Sequence, residues 1–317
     1  MKALLVITLW LFLFVAGDCK AAATAPALQF SWQRTGLFEV EESIQKKGNR
    51  MQIIFKCQLS KTNDQFILRW LDAQIVSVNG QRINESDDLK RELAPVQAMF
   101  RHPPFSISLD GQFLETIDAD EAMKKTNQAL DEVAPRRSEE SREFFDRFAQ
   151  SKTGKQMIDH VYGQIWGTWI GMWVGLNVPD GQTVLEDVKV PFGDGDRVPA
   201  RIKRSNLGPL KSNTNLLSLR FEERLTAKNI GAAINKLSKK VAKETEVKSA
   251  EPLPKKVSFE RATIVEVHTD RRSLNPHWAK RSVVTTASVP GEGKQSELEV
   301  HEYQFRWDVD HQSGAAK

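Results

Sequence analysis

Cysteine is scarce in this sequence: only Cys19 and Cys57 occur among 317 residues. Cys19 falls in an N-terminal segment expected to be removed, which leaves Cys57 without an internal partner. Disulfide staples are therefore excluded, and stability must come from the core. Cys57 lies in M-Q-I-I-F-K-C-Q-L, where Met51, Ile53, Phe55, Cys57 and Leu59 alternate onto one face. It reads as a buried strand residue, not as a reactive thiol. Charge of one sign is also lacking. The net charge is +4, from 45 basic and 41 acidic residues. No basic cluster is interleaved with stacking aromatics, so nucleic acid is not expected as a partner.

Catalytic motifs are missing as well. There is no G-x-S-x-G, no H-E-x-x-H, no Walker loop and no dinucleotide fingerprint. The histidines are His102, His160, His268, His277, His301 and His311, and no pair has helical metal-ligand spacing. Asp194 and Asp196 in G-D-G-D lack the further spaced oxygens and distal glutamate of a calcium loop, so they read as turn chemistry. No catalytic residue, metal or cofactor is expected. A hydrolytic reading would start from Asp159 and His160.

Long apolar runs are few, and the two present are informative. Ala3–Val15 follows Lys2 and precedes the small residues Ala21–Ala25. This is the pattern of a secretory signal peptide over 1–25, cut near Ala23 or Ala25. A periplasmic or secreted protein is expected. Asp18 before Cys19 argues against a lipoprotein.

The second run, Val161–Val178, carries no charge. Gly163, Gly167, Gly171 and Gly175 recur every four residues, on a helical arc of about 120° shared with Gln164 and Thr168. Tyr162, Trp166, Trp169, Trp173 and Leu176 fall opposite. Four helical glycines cost roughly 4 kcal/mol against alanine, so a compensating reason must exist. Acidic Asp159 and Asp180 flank the run without basic anchors. A buried helix is expected in preference to a membrane span, and the mature chain is expected to have no stable transmembrane segment.

Elsewhere the pattern is strands, helices, strands, helix, strands. Arg50–Ser60 and Gln65–Val78 alternate, Asp110-Gly111 turns a hairpin, and Ser86 caps a helix containing Pro95. A capping box at Thr153 and Gln156 opens the glycine-tryptophan helix, and Pro179 closes it. Thr183–Val190, Val198–Lys203 and Leu217–Phe221 are strands. Thr226 caps another helix, and the last strands are Val257–His268, Ser282–Val289 and Ser296–Trp307. The reading is an α+β fold with a curved antiparallel sheet, or sheets, wrapped around a central Gly/Trp-rich helix, half-barrel-like. It covers a single domain at 27–310, with 27–117 and 182–310 as candidate subdomains around a helical block at 118–178. A loose tail is expected at 311–317.

Four short motifs carry a resemblance. They are W-x-x-W-x-G-M-W-V-G-L at Trp166–Leu176, P-D-G-Q at Pro179–Gln182, T-D-x-x-S-L-N-P-H at Thr269–His277 and E-Y-Q-F-R-W at Glu302–Trp307. Together they resemble a group of uncharacterised bacterial envelope proteins, in outline from Ser138 to Trp307, with no assigned catalytic residues to carry over. The strand–helix layout is similar to the half-barrel lipoprotein carriers of the bacterial envelope, a likeness of fold alone. The functional expectation is an exported, non-catalytic protein that binds an apolar, lipid-like ligand or an envelope partner. Its expected lining is Trp166, Trp169, Trp173, Phe55 and Trp70. The rivals are a hydrolase with a site near His160 and an envelope scaffold or assembly factor, which would expose an apolar patch.

Overall fold

Period-2 alternation over long stretches builds most of the chain. A computed structural model describes residues 28–32, 35–100, 102–133, 138–192, 196–228, 231–246, 254, 256–291 and 293–307. The expected signal peptide with Cys19, Asp194 of G-D-G-D and the tail at 311–317 lie outside the described residues.

The first meander is β1 (Gly36–Lys46), β2 (Asn49–Lys61), β3 (Gln65–Val78), the two-residue β4 (Gln81–Arg82), β5 (Phe105–Ser108) and β6 (Phe113–Thr116). Helix α1 (Asp87–Ala98) interrupts it between β4 and β5. Then come three helices, α2 (Ala119–Val133), α3 (Glu139–Gln150) and α4 (Lys152–Trp169). The second meander is β7 (Thr183–Phe192), β8 (Asp196–Leu210), β9 (Asn213–Ala227), β10 (Ser258–Asp270), β11 (Pro276–Val289) and β12 (Gly293–Trp307), with α5 (Gly231–Thr245) between β9 and β10.

All of these strands join one open, antiparallel, twelve-stranded sheet in the order β6-β5-β3-β2-β1-β12-β11-β10-β9-β8-β7, with β4 beside β3. The two meanders meet where β1 pairs with β12, from Phe38↔Trp307 to Lys46↔Glu299. The edges are β6 and β7, so α2, α3 and α4 carry the chain from one edge to the other.

One face of the sheet carries the core. On β9, Leu217, Leu219, Phe221, Glu223, Leu225 and Ala227 are all buried, as an unbroken period of two requires. The outer edge of β3 gains a substitute partner from α1. Gln97 accepts from the Ile75 amide at 2.8 Å and donates to the Ala73 carbonyl. Pro95 stays inside α1, which begins at the Ser86 cap.

Several boundaries differ from the sequence reading. Thr226 caps no helix; it is a β9 residue paired with Glu260, because the inward alternation continues through Leu225 and Ala227. The cap of α4 is Ser151, whose hydroxyl accepts from the Gly154 amide at 2.9 Å, not Thr153. The largest difference is in the glycine-tryptophan stretch. The helix ends at Trp169, a 3-10 turn follows at Gly171–Trp173, and Gly175 takes a left-handed φ of +74°. At Gly171 the backbone lies against the Trp166 indole so closely that a Cβ would sit 2.6 Å from it. The chain folds back over its own tryptophan instead of continuing the helix. Beyond the turn, Leu28 brackets the segment, donating to the Leu176 carbonyl at 2.9 Å and accepting from the Gly175 amide at 2.8 Å.

Trp166, Trp169 and Trp173 are at most 1% exposed and join one large core with residues of β1, β2, β3, β5 and β8 to β12. Trp173 sits in the turn that the core holds in place. Trp173→Ala is therefore expected to lower the unfolding free energy by about 3–5 kcal/mol, measured by urea titration. A loss under about 1 kcal/mol would mean that the turn is not anchored by this side chain.

Candidate ligand-binding cavity

Helix α4 presents two unlike faces, and the sheet treats them differently. On the bulky side, Trp166 donates from Nε1 to the Gly111 carbonyl at 2.9 Å and meets Phe30 and Trp32 edge-on. Trp169 packs against Trp70 of β3 and against Tyr303 and Phe305 of β12, with centroids 5.1–6.0 Å apart. Tyr162 contacts His102 Nδ1 at 2.6 Å. Burial lowers the His102 pKa to about 4, so the ring is neutral at neutral pH.

The small side of α4 faces a cavity of about 410 Å³, open on one side. Gly163, Gly167 and Gly171 line it from the helix and the turn, together with His160, Gln164 and Thr168. Arg204 of β8, Phe221 of β9, Val265 of β10 and Arg281 of β11 form the floor. These four stand in one cross-strand row: Arg204↔Phe221, Phe221↔Val265 and Val265↔Arg281. Gly163 and Gly167 answer to no close backbone contact. A Cβ on Gly163 would meet Phe113 at 3.4 Å, and one on Gly167 only the Met172 methyl at 3.9 Å.

The floor belongs to a wider polar belt on the sheet's inner face. Arg204 Nη1 donates to Glu186 at 2.5 Å, and its guanidinium lies over the Phe221 ring. Arg261 and Glu223 form an ion pair at 2.8 Å with side chains at most 2% exposed. Burial raises the Glu223 pKa against the pull of Arg261. Arg281 Nη2 donates to Gln164 Oε1 at 3.4 Å, and Gln164 Nε2 donates to His160 Nε2 at 2.7 Å. Burial lowers the Arg281 pKa, opposed by Tyr303 and Glu299. Next to Arg281 in register stands His301, held by Glu42 and Glu299 at 2.7 Å each, and Lys46 bonds Glu299 in turn.

The residues singled out from sequence separate in space. Trp166 lines the cavity. Trp169 and Trp173 are in the packed core, and Phe55 stacks edge-on with Trp70 beneath β3. Trp70 borders a different depression of about 690 Å³ between β3, α1 and α2. His160 does reach the cavity, but Asp159 Oδ1 beside it accepts from both the amide and the hydroxyl of Thr116. Arg204, Arg281 and Glu223 escaped the sequence reading. Their signal was present: each is a charged residue at an inward position of an alternating strand.

The other three motifs behind the resemblance make structural contacts in this chain. Asp270 Oδ1 accepts from the amides of Arg272 and Ser273 and from the Ser273 hydroxyl, closing the turn after β10. Asp180 pairs with Arg271 at 3.0 Å, and Trp307 donates to the Pro276 carbonyl at 2.8 Å. No protein-family model matches the chain, and no curated protein matches it either. Among the described residues, no group of three or more His, Cys, Asp or Glu side chains could hold a metal ion, and no helix is long and apolar enough to cross a membrane.

Two outcomes follow from this geometry. Burial alone would lower the His301 pKa, but the bonds to Glu299 and Glu42 prevail and raise it to about 9. Glu299 falls to about 2, where His301 and Lys46 outweigh its burial. The histidine's contribution is complete below its ordinary 6.5 and disappears as pH rises through 9. That of Glu299 is complete above 4.5 and disappears as pH falls toward 2. Thermal melts should show a plateau near pH 5–6 and an alkaline loss on the order of 3 kcal/mol. His301→Gln should lower the plateau and flatten the alkaline limb; an unchanged alkaline slope would refute this assignment. Separately, Gly167→Ala should stabilise the protein by up to about 1 kcal/mol, because the added methyl enters open space on a helix. A destabilised variant would show that the glycine serves packing after all.

Proposed function

We propose that this protein binds an amphipathic small molecule, without catalysis, between the glycine face of α4 and the floor formed by β8 to β11. The observation that carries the reading is the pairing of a small, uncompensated helix face with a cavity that is open on one side. The volume, about 410 Å³, falls in the range of small-molecule pockets. Phe113, Trp166, Met172, Phe221 and Val265 give the cavity apolar surface, while Arg204, Arg281 and Gln164 give it directed polar groups. In this reading the open sheet and the helices on its inner face act as a half-barrel with a lid, and the chain works in the bacterial envelope, exported by segment 1–25.

The hydrolytic alternative rests on His160. Gln164 donates to its Nε2, and the carboxylate of Asp159 is engaged by Thr116. Neither arrangement prepares the ring as a general base toward the cavity. Binding is the simpler account of the same residues.

Native mass spectrometry of the purified protein, before and after organic extraction, tests the reading. The expected result is a non-covalent adduct that extraction removes. Gly167→Leu should fill the space, abolish the adduct and leave the melting temperature at or above that of the parent. An absence of adduct, together with no change in tryptophan fluorescence on adding lipid, would defeat the reading.

A further inference from the structure

The charges that reach the cavity are not a fair sample of those on the sheet. The inner-face belt holds Arg204, Arg261, Arg281 and His301 together with Glu42, Glu186, Glu223 and Glu299. Of these eight, the cavity is lined only by Arg204 and Arg281. The belt's carboxylates are not among the lining residues: Glu186 pairs with Arg204 and Glu223 with Arg261. The one acid on the wall, Asp159 of α4, has Oδ1 turned to Thr116. An occupant therefore meets two guanidinium groups, with the apolar floor of Phe221 and Val265 between them in the same row.

Resting on the binding function proposed above, we infer that the occupant is an anionic amphiphile. A carboxylate or phosphate-monoester head lies against Arg281 at one end of the row, and a single alkyl chain runs over Val265 and Phe221 toward Arg204, beneath Gly163 and Gly167. The guanidinium fork presents several N–H donors in one plane, which matches the two oxygens of either head. Gln164 already links Arg281 to His160 through the cavity wall, so the head is met by a connected set of polar groups. Burial disfavours the charge on Arg281, Tyr303, Glu299 and Glu223 oppose this, and an oxyanion beside it would act in the same direction as they do. The volume suits one chain, since about 410 Å³ lies near the small end of ligand pockets.

The test is a head-group series at constant chain length on the full-length protein. Dodecanoate, dodecyl phosphate, dodecanol and dodecyltrimethylammonium would be titrated by calorimetry and by tryptophan fluorescence. The two anions should bind about tenfold or more tightly than the alcohol, the size expected of a charge-assisted contact. The cation should bind least, and the order of the two anions identifies the head. Arg281→Gln should remove most of the anion preference and Arg204→Gln, whose guanidinium is paired with Glu186, should change it less, both leaving dodecanol affinity in place. If either variant fails to fold, the series on the parent protein still decides. Equal binding of dodecanol and both anions overturns this inference and leaves the binding function standing. No binding of any of the four overturns both.

Discussion

The anchoring of α4 by its tryptophans governs the rest of the molecule. Trp166, Trp169 and the Trp173 turn bury almost completely against the strands near the β1–β12 junction. Each such side chain removes a large apolar area from water, worth a few kcal/mol. This sets the helix's rotation and its height over the sheet. The opposite face lies over β10 and β11, where Gln164 reaches Arg281 at 3.4 Å. The cavity lies beneath Gly163 and Gly167, where the helix brings no side chain to fill it. Had the stretch remained helical to Val178, Gly171 could not lie on the Trp166 indole, and the clamp would be looser.

The polar belt beneath that gap raises an energetic question. Charges withdrawn from water are costly unless they are paired and hydrogen-bonded. The structure meets this requirement mostly by adjacency in the sheet. Arg261 answers Glu223 across neighbouring strands, Arg204 reaches Glu186, and His301 is held between Glu42 and Glu299. Such pairs rarely add stability over an apolar core of the same shape. A row of them under one helix therefore calls for a reason other than stability. The apolar core continues around it: Ile202, Leu217, Leu219, Val267 and Ala279 of β8 to β11 belong to the same core as the tryptophans.

Much of this architecture was legible in residues 28–307, and the failures have physical causes. Alternation at Ile53, Phe55, Cys57 and Leu59 marked β2, and the hairpin at Asp110-Gly111 is where the spacing put it. Unbroken alternation through Ala227 should have overruled the Thr226 cap, since a strand buried on one face continues as long as its inward positions are filled. The helix end at Trp169 was not readable, because it depends on how the backbone of Gly171 meets Trp166, a contact that no local propensity encodes. The belt was partly readable. Glu223 between Phe221 and Leu225 breaks the apolar phase of an otherwise regular strand, and so does Arg261 between Phe259 and Thr263. What no single strand can disclose is that these exceptions align across neighbours, because register is a property of the sheet.

Glycine on a helix admits two explanations, and the surroundings separate them. Where backbones approach closely, a built Cβ collides with something rigid. Where space is reserved, it meets little. Gly171 is of the first kind; Gly163 and Gly167 are of the second, with only an aromatic edge and a methionine methyl nearby. A helix that accepts about 1 kcal/mol for each such glycine, and faces buried arginines across the opening, is not optimised for packing. Alanine at both positions would make a better helix and a smaller cavity. The sequence gives up helix stability at the points where the opening lies, and the proposed ligand would account for that loss.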